Sequence, residues 1–180
     1  MPMNLQSLFP YPFPRSSVPI VAVAALAVLV TGCTNLLTND YEATAVVTYV
    51  WQVEYSGNSD RPLDRRIERF AATDLINTNG IQPDAAVSGP DDQGLWWPAL
   101  PPRPTVDELE ASQKDGETIG SPELIKQVDY TLAFYLDGGQ QTLPTNYSVY
   151  RQAVKGKRDQ RSLELTLGPA EQSVTKAEIR

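Results

Sequence analysis

Arg151, Lys155, Lys157, Arg158 and Arg161 crowd five cations into eleven residues whose one acid is Asp159, a local net charge of +4. Such a cluster attracts phosphate or carboxylate groups, on anionic lipids or on an acidic partner, and each base near a charged membrane surface is worth about 1 kcal/mol. The plainer alternative is a solvated turn whose charge keeps sheet edges from pairing. Trp96 and Trp97 head a second unusual run, with Pro98, Pro101, Pro102, Arg103 and Pro104 behind them. A polyproline-like segment is ordered before it binds, so it presents rings to a partner or a lipid interface at small entropic cost. Alternatively, one Trp plugs an open sheet face and the other stays available. The candidate partner or membrane contacts are therefore Trp96, Trp97, Arg103, Lys155, Lys157, Arg158 and Arg161.

The rest of the composition closes off chemistry. The chain has 180 residues, no histidine and one cysteine, which removes Ser-His-Asp and Cys-His catalysis, zinc sites drawing on His or several Cys, and any intramolecular disulfide. Two carboxylates could cleave a glycosidic bond, but among 22 acids no pair stands out by motif or spacing. Residues 84–117 are acid-rich yet lack the alternating acids and central Gly of a Ca²⁺ loop. Neither a Gly-rich phosphate loop nor Gly-x-Ser-x-Gly occurs. No catalytic residue, metal or cofactor is expected, and a net charge of -7 argues against nucleic acid as a partner.

The elements that must carry these groups follow from hydrophobic period. From Ala45 to Tyr55, the residues Val47, Tyr49, Trp51, Val53 and Tyr55 recur every second position and predict a half-buried strand. From Pro62, the spacing of Leu63, Ile67, Phe70, Ala71 and Leu75 predicts an amphipathic helix to about Asn77, its Arg61, Arg65, Arg66 and Arg69 interleaved with Asp60, Asp64 and Glu68. Residues 81–104, with six prolines and two glycines, read as an ordered arm without regular structure. Thr105 and Glu108 fit a capping box that opens a short helix to about Lys114. Val128 to Leu136 alternates and ends at Asp137-Gly138-Gly139, a hairpin signal, with a short return from Gln140 to Leu143. Tyr147 to Val154 and Ser162 to Leu167 read as two further strands, which makes the basic cluster a hairpin tip. The expected fold is α+β: an antiparallel sheet of about four to five strands with one main helix packed on one face.

Ahead of all this, Val18 to Val30 is apolar apart from Pro19 and follows Arg15, too short to span a bilayer but suited to a signal-peptide core. It runs into Val30-Thr31-Gly32-Cys33, which resembles the lipobox of bacterial lipoproteins. That resemblance covers the export signal alone. It implies cleavage between Gly32 and Cys33, a diacylglyceryl group on the Cys33 sulfur and a membrane held through N-terminal acyl chains. Thr34 follows, not the Asp that marks inner-membrane retention in double-membraned bacteria, so the outer membrane is favoured where the host sorts lipoproteins. Removing residues 1–32 takes away Arg15 and no acid, leaving 14 bases and 22 acids, a net of -8.

The chain thus divides into a signal peptide at 1–32, a lipid-anchored tether at 33–42, a single domain at 43–168 and a flexible C-terminal tail at 169–180. The expected function is a non-catalytic, lipid-anchored accessory domain binding an envelope or membrane protein complex. A carrier of a lipid or other apolar ligand, and a surface hydrolase of cell-wall glycan, are the alternatives.

Overall fold

The computed structural model describes residues 34–57, 65–136 and 138–180. In chain order these form β1 (Asn35–Thr38), β2 (Tyr41–Gly57), β3 (Arg65–Thr78), α1 (Val106–Ser112), β4 (Glu117–Ile119), β5 (Glu123–Leu136), β6 (Gly139–Thr145), α2 (Tyr147–Arg158), β7 (Leu163–Leu167) and β8 (Val174–Ile179). All strand pairings are antiparallel. β2 is the spine of a five-stranded sheet: β3 lies along one edge, β5 and then β4 along the other, and β6 beyond β5. β1, β7 and β8 form a second sheet with β7 in its centre. The described chain is therefore α+β, with more sheet than expected.

The alternation seen in the sequence sets the core. Tyr41, Ala43, Ala45, Val47, Tyr49, Val53 and Tyr55 of β2 are buried on one face. Leu132 and Phe134 of β5, Val149, Tyr150 and Ala153 of α2, and Leu163, Leu165 and Leu167 of β7 pack with the residues from Tyr41 to Tyr49, while Val53 and Tyr55 pack with Leu109 of α1 in a second, smaller cluster. The capping box holds as well: the Thr105 N–H donates to Glu108 Oε2 at 2.8 Å and the Glu108 N–H to Thr105 Oγ1 at 3.3 Å, opening α1.

Four expectations are corrected. The helix expected from Pro62 is β3. Its register against β2 slips between Val50 and Gln52, so Phe70 and Ala71 lie together opposite Trp51 as a bulge. Half-buried positions 66, 68 and 70 therefore give way to 71, 73, 75 and 77, and two strand alternations joined out of phase imitate helical spacing. The strand expected from Tyr147 is α2, opened by Asn146, whose side chain accepts from the Val149 N–H at 3.0 Å. Val149, Tyr150, Ala153 and Gly156 form its buried stripe. The basic cluster consequently runs along a helix, from Arg151 in the middle of α2 to Lys155, Lys157 and Arg158 in its last turn and Arg161 in the loop after it, and is not a hairpin tip. The tether is not free either: β1 occupies Asn35–Thr38, and the Thr34 carbonyl accepts from the Leu167 N–H at 2.9 Å. The tail folds into β8, which buries Val174 and Ala177 and completes β7's hydrogen bonding. The signal peptide at 1–32, with Gly32, and Cys33 lie outside the described residues.

At the far end of the β2–β3 hairpin, Arg66 ties three elements together. Its Nε and Nη2 donate to the two oxygens of Glu117 at 2.8 Å each, Nη1 donates to Glu68 at 2.7 Å, and the guanidinium sits 4.2 Å from the Tyr55 ring centroid. The Tyr55 hydroxyl donates to the Leu109 carbonyl of α1 at 2.9 Å. The fork of bonds from Arg66, aided by the Lys114 N–H, holds the Glu117 carboxyl down at about 2. A carboxyl lowered on folding adds stability above its ordinary value near 4.5, and that stability is lost as pH falls toward about 2. The melting temperature of the native protein should drop across that window. In Glu117→Gln, melts recorded against pH should start lower and lose this component of the slope.

Candidate functional site

The arm at 81–104 is tied to the sheet by Asn77, Thr73 and Trp51, and Asp91 orders it from within. Asn77, fully buried at the end of β3, accepts from the Trp96 N–H at 2.8 Å and donates to the Trp96 carbonyl at 3.0 Å, as a neighbouring strand's peptide would. Asp91 accepts from the Gln93 and Leu95 N–H groups at 2.9 Å each and from Trp97 Nε1 at 2.8 Å. These bonds split the tryptophan pair. Trp97 is buried, its ring 5.0 Å from Tyr49, with Lys126 Nζ 5.0 Å over its face. Trp96 is half-buried and forms one wall of a groove.

The opposite wall is α2. Tyr150, Arg151, Val154, Lys157 and Arg158 line the groove at spacings of one, four, seven and eight residues from the first, one continuous helical face. The floor and near end are Asn79, Gly80 and Ile81, where the chain leaves β3. Gly80 has φ of +71°, and a Cβ there would stand 2.7 Å from Val154 Cγ1, so only glycine lets this turn meet the helix. The groove measures about 600 Å³, within the usual range of ligand sites. Its lining holds three cations and no acid, in a protein of net charge -7.

Of the residues singled out by sequence, Trp96, Lys157 and Arg158 come together here. Lys157 also donates to the Tyr41 carbonyl at 3.1 Å, and Arg158 has Asp159 beside it at 3.1 Å. Arg161 lines an adjoining depression of about 420 Å³ with Asn39, Tyr41 and Lys157. Lys155 is half-buried on α2 and belongs to neither lining. Arg103 is elsewhere, 5.7 Å from the Trp51 ring centroid. Ile81, Tyr150 and Val154 were not among the expected contacts; the helical period from Tyr150 to Arg158 was the signal for the last two, and reading a strand there hid it.

Burial pushes the Tyr150 phenol above its usual value, opposed in part by the Gly80 N–H pointing toward its oxygen, and among the described residues nothing accepts the hydroxyl proton. Burial, with Tyr147 and Asp91 adding negative potential, pushes Tyr130 up to about 12. These phenols stay protonated at neutral pH and act as donors. Among the described residues no three potential metal-ligating side chains gather. A Ser-x-x-Lys spacing, Ser173 to Lys176, falls at the entrance of β8, where Lys176 pairs with Glu178. On a strand, residues three apart face opposite sides, so that pair is not set for proton transfer.

Two substitutions test the walls. Asn77→Leu leaves the buried Trp96 N–H and carbonyl without partners and should destabilise the protein by about 1–3 kcal/mol in denaturant titrations. Gly80→Ala should cost about 1–3 kcal/mol by the same measurement, from the left-handed backbone and the overlap with Val154.

Compared with family models, with curated proteins and with solved structures, the chain matches none.

Proposed function

We propose that the protein is a non-catalytic accessory domain, exported and anchored by lipid on Cys33, in the outer membrane where the host sorts lipoproteins. Its partner class is an envelope or membrane protein complex, and its contact with the membrane that holds that complex is the groove between the arm and α2. In this reading α2 is the main helix laid across the sheet, and it carries the cations.

The observation behind the reading is the beginning of the fold. Thr34, the residue bonded to Cys33, is held by the Leu167 N–H, and its own hydroxyl donates to Glu171 at 2.9 Å. A lipid on Cys33 would therefore hang from the sheet with no slack. From Cys33 to Asn39 is six residues, at most about 20 Å of extended chain. Asn39 shares its depression with Lys157 and Arg161. An acyl anchor and the cationic end of α2 are thus close enough for both to meet one lipid surface. A second reading, a carrier of an apolar ligand, draws on the groove's own lining by Ile81, Trp96 and Val154.

Labelling with a fatty acid, followed by mass measurement, tests the anchor. The native chain should lose residues 1–32 and carry label. Cys33→Ser should persist as an unlabelled precursor; label on that variant overturns the reading.

A further inference from the structure

We propose that the groove between the arm and α2 seats the headgroup of an anionic phospholipid from the bilayer. Its phosphate lies among Arg151, Lys157 and Arg158, and the first part of an acyl chain lies against Ile81, Trp96 and Val154.

Three observations carry this. The first is the division of the lining. The three cations stand on the α2 wall around Val154, and the other walls add apolar surface from Trp96 and Ile81, the last 69% exposed. An inorganic anion would use only the first half of such a site and a neutral alkyl chain only the second; an amphiphile with an acidic head uses both. The second is charge. With residues 1–32 removed the chain carries a net -8, so an anionic surface repels most of the molecule and attracts it where cations outnumber acids. The groove is such a place: Arg151, Lys157 and Arg158 line it, with Asp159 beside Arg158 as the neighbouring acid. The third is the Tyr150 hydroxyl, buried on a groove-lining residue beside Gly80, its proton without an acceptor among the described residues. A headgroup oxygen is an acceptor that a small shift of the ring would meet.

Membrane lipid is favoured over an acidic peptide because of where the chain begins. On the anchor reading, the bilayer is the acidic surface held permanently within about 20 Å of Asn39, whose depression shares Lys157 with the groove. Screening over roughly 8 Å at physiological salt leaves the cations able to sense that surface. The lipid site rests on that reading for its source of ligand, but its chemistry can be tested apart from it.

Full-length protein in a neutral detergent would be titrated with dihexanoylphosphatidylglycerol, dihexanoylphosphatidylcholine, inorganic phosphate and a polyglutamate peptide, followed by Trp fluorescence and calorimetry. Phosphatidylglycerol should bind saturably at one site, at least tenfold tighter than each of the others and more weakly as salt rises. Changing Arg151, Lys157 and Arg158 together to Gln should weaken it at least tenfold. Ile81→Ser, an exposed change that leaves the cations in place, should weaken it severalfold without altering phosphate binding. Thermal melts of each variant separate lost binding from lost fold. Equal affinity for the choline lipid, preference for polyglutamate, phosphate binding as tight as the lipid's, or unchanged affinity in the folded triple variant would each overturn the proposal. Fatty-acid labelling of Cys33 without phosphatidylglycerol binding would remove the lipid site and leave the anchor; binding without labelling would do the reverse.

Discussion

Tyr41 and Gly156 meet where the first residue of β2 passes under the last turns of α2, and the geometry of that contact sets the position of most groups discussed above. A Cβ on residue 156 would lie 2.6 Å from the Tyr41 hydroxyl, so glycine is the residue that allows the approach. A glycine inside a helix costs about 1 kcal/mol relative to alanine, and here the closeness it permits is used at once. The hydroxyl donates to the Arg161 carbonyl at 2.7 Å just past the helix, while the Tyr41 carbonyl accepts from Lys157 at 3.1 Å. Sheet and helix end are clasped from both sides. The cations of the last turn, Lys155, Lys157 and Arg158, also face the negative end of the helix dipole, so they help stabilise the helix that displays them.

From this clasp the groove follows. α2 is held at a height that Gly80 can touch, and the arm is drawn across by Asn77 and ordered from within by Asp91. The Asn77 amide offers oxygen and nitrogen and the Asp91 carboxylate offers oxygen as stand-ins for backbone partners, which lets a proline-rich segment with few donors of its own be ordered inside the domain. The arm is held to the sheet further by the Thr73 hydroxyl, which donates to the Ala99 carbonyl at 2.6 Å, by Trp51 Nε1, which donates to the Pro101 carbonyl at 3.0 Å, and by the Trp97 ring against Tyr49 and Lys126.

The second sheet has a separate consequence. β1, the first described strand, is bound along β7, and β8, the last, closes the other side of β7. Both ends of the domain are thereby pinned to the same small sheet. A membrane-held N-terminus would act on the fold through hydrogen-bonded strand, with no flexible spacer to take up motion, and the orientation of the domain would be tied to its anchor.

How far the sequence reaches is clear residue by residue. Period-two runs of large side chains were enough for the core of β2, β5 and β7, since burial of one face enforces alternation whatever the neighbours are. The Thr105–Glu108 cap was legible because its bonds are local. So was the cluster of charge, though not its shape. What failed was decided by partners far along the chain. Two alternations meeting at a bulge look helical until Trp51 is set opposite Phe70 and Ala71. Gly156 reads as a turn residue until Tyr41 needs its space, and the polar segments at either end become β1 and β8 only because β7 offers them two unpaired edges. The groove belongs to this second kind: Trp96 and Arg158 are distant in sequence, and only the tertiary contacts of Asn77, Gly80 and Tyr41 bring them to face one another. Local period and composition determine which side chains a segment buries; which segments share a wall is set by hydrogen bonds and close packing between distant residues, and no local pattern encodes them.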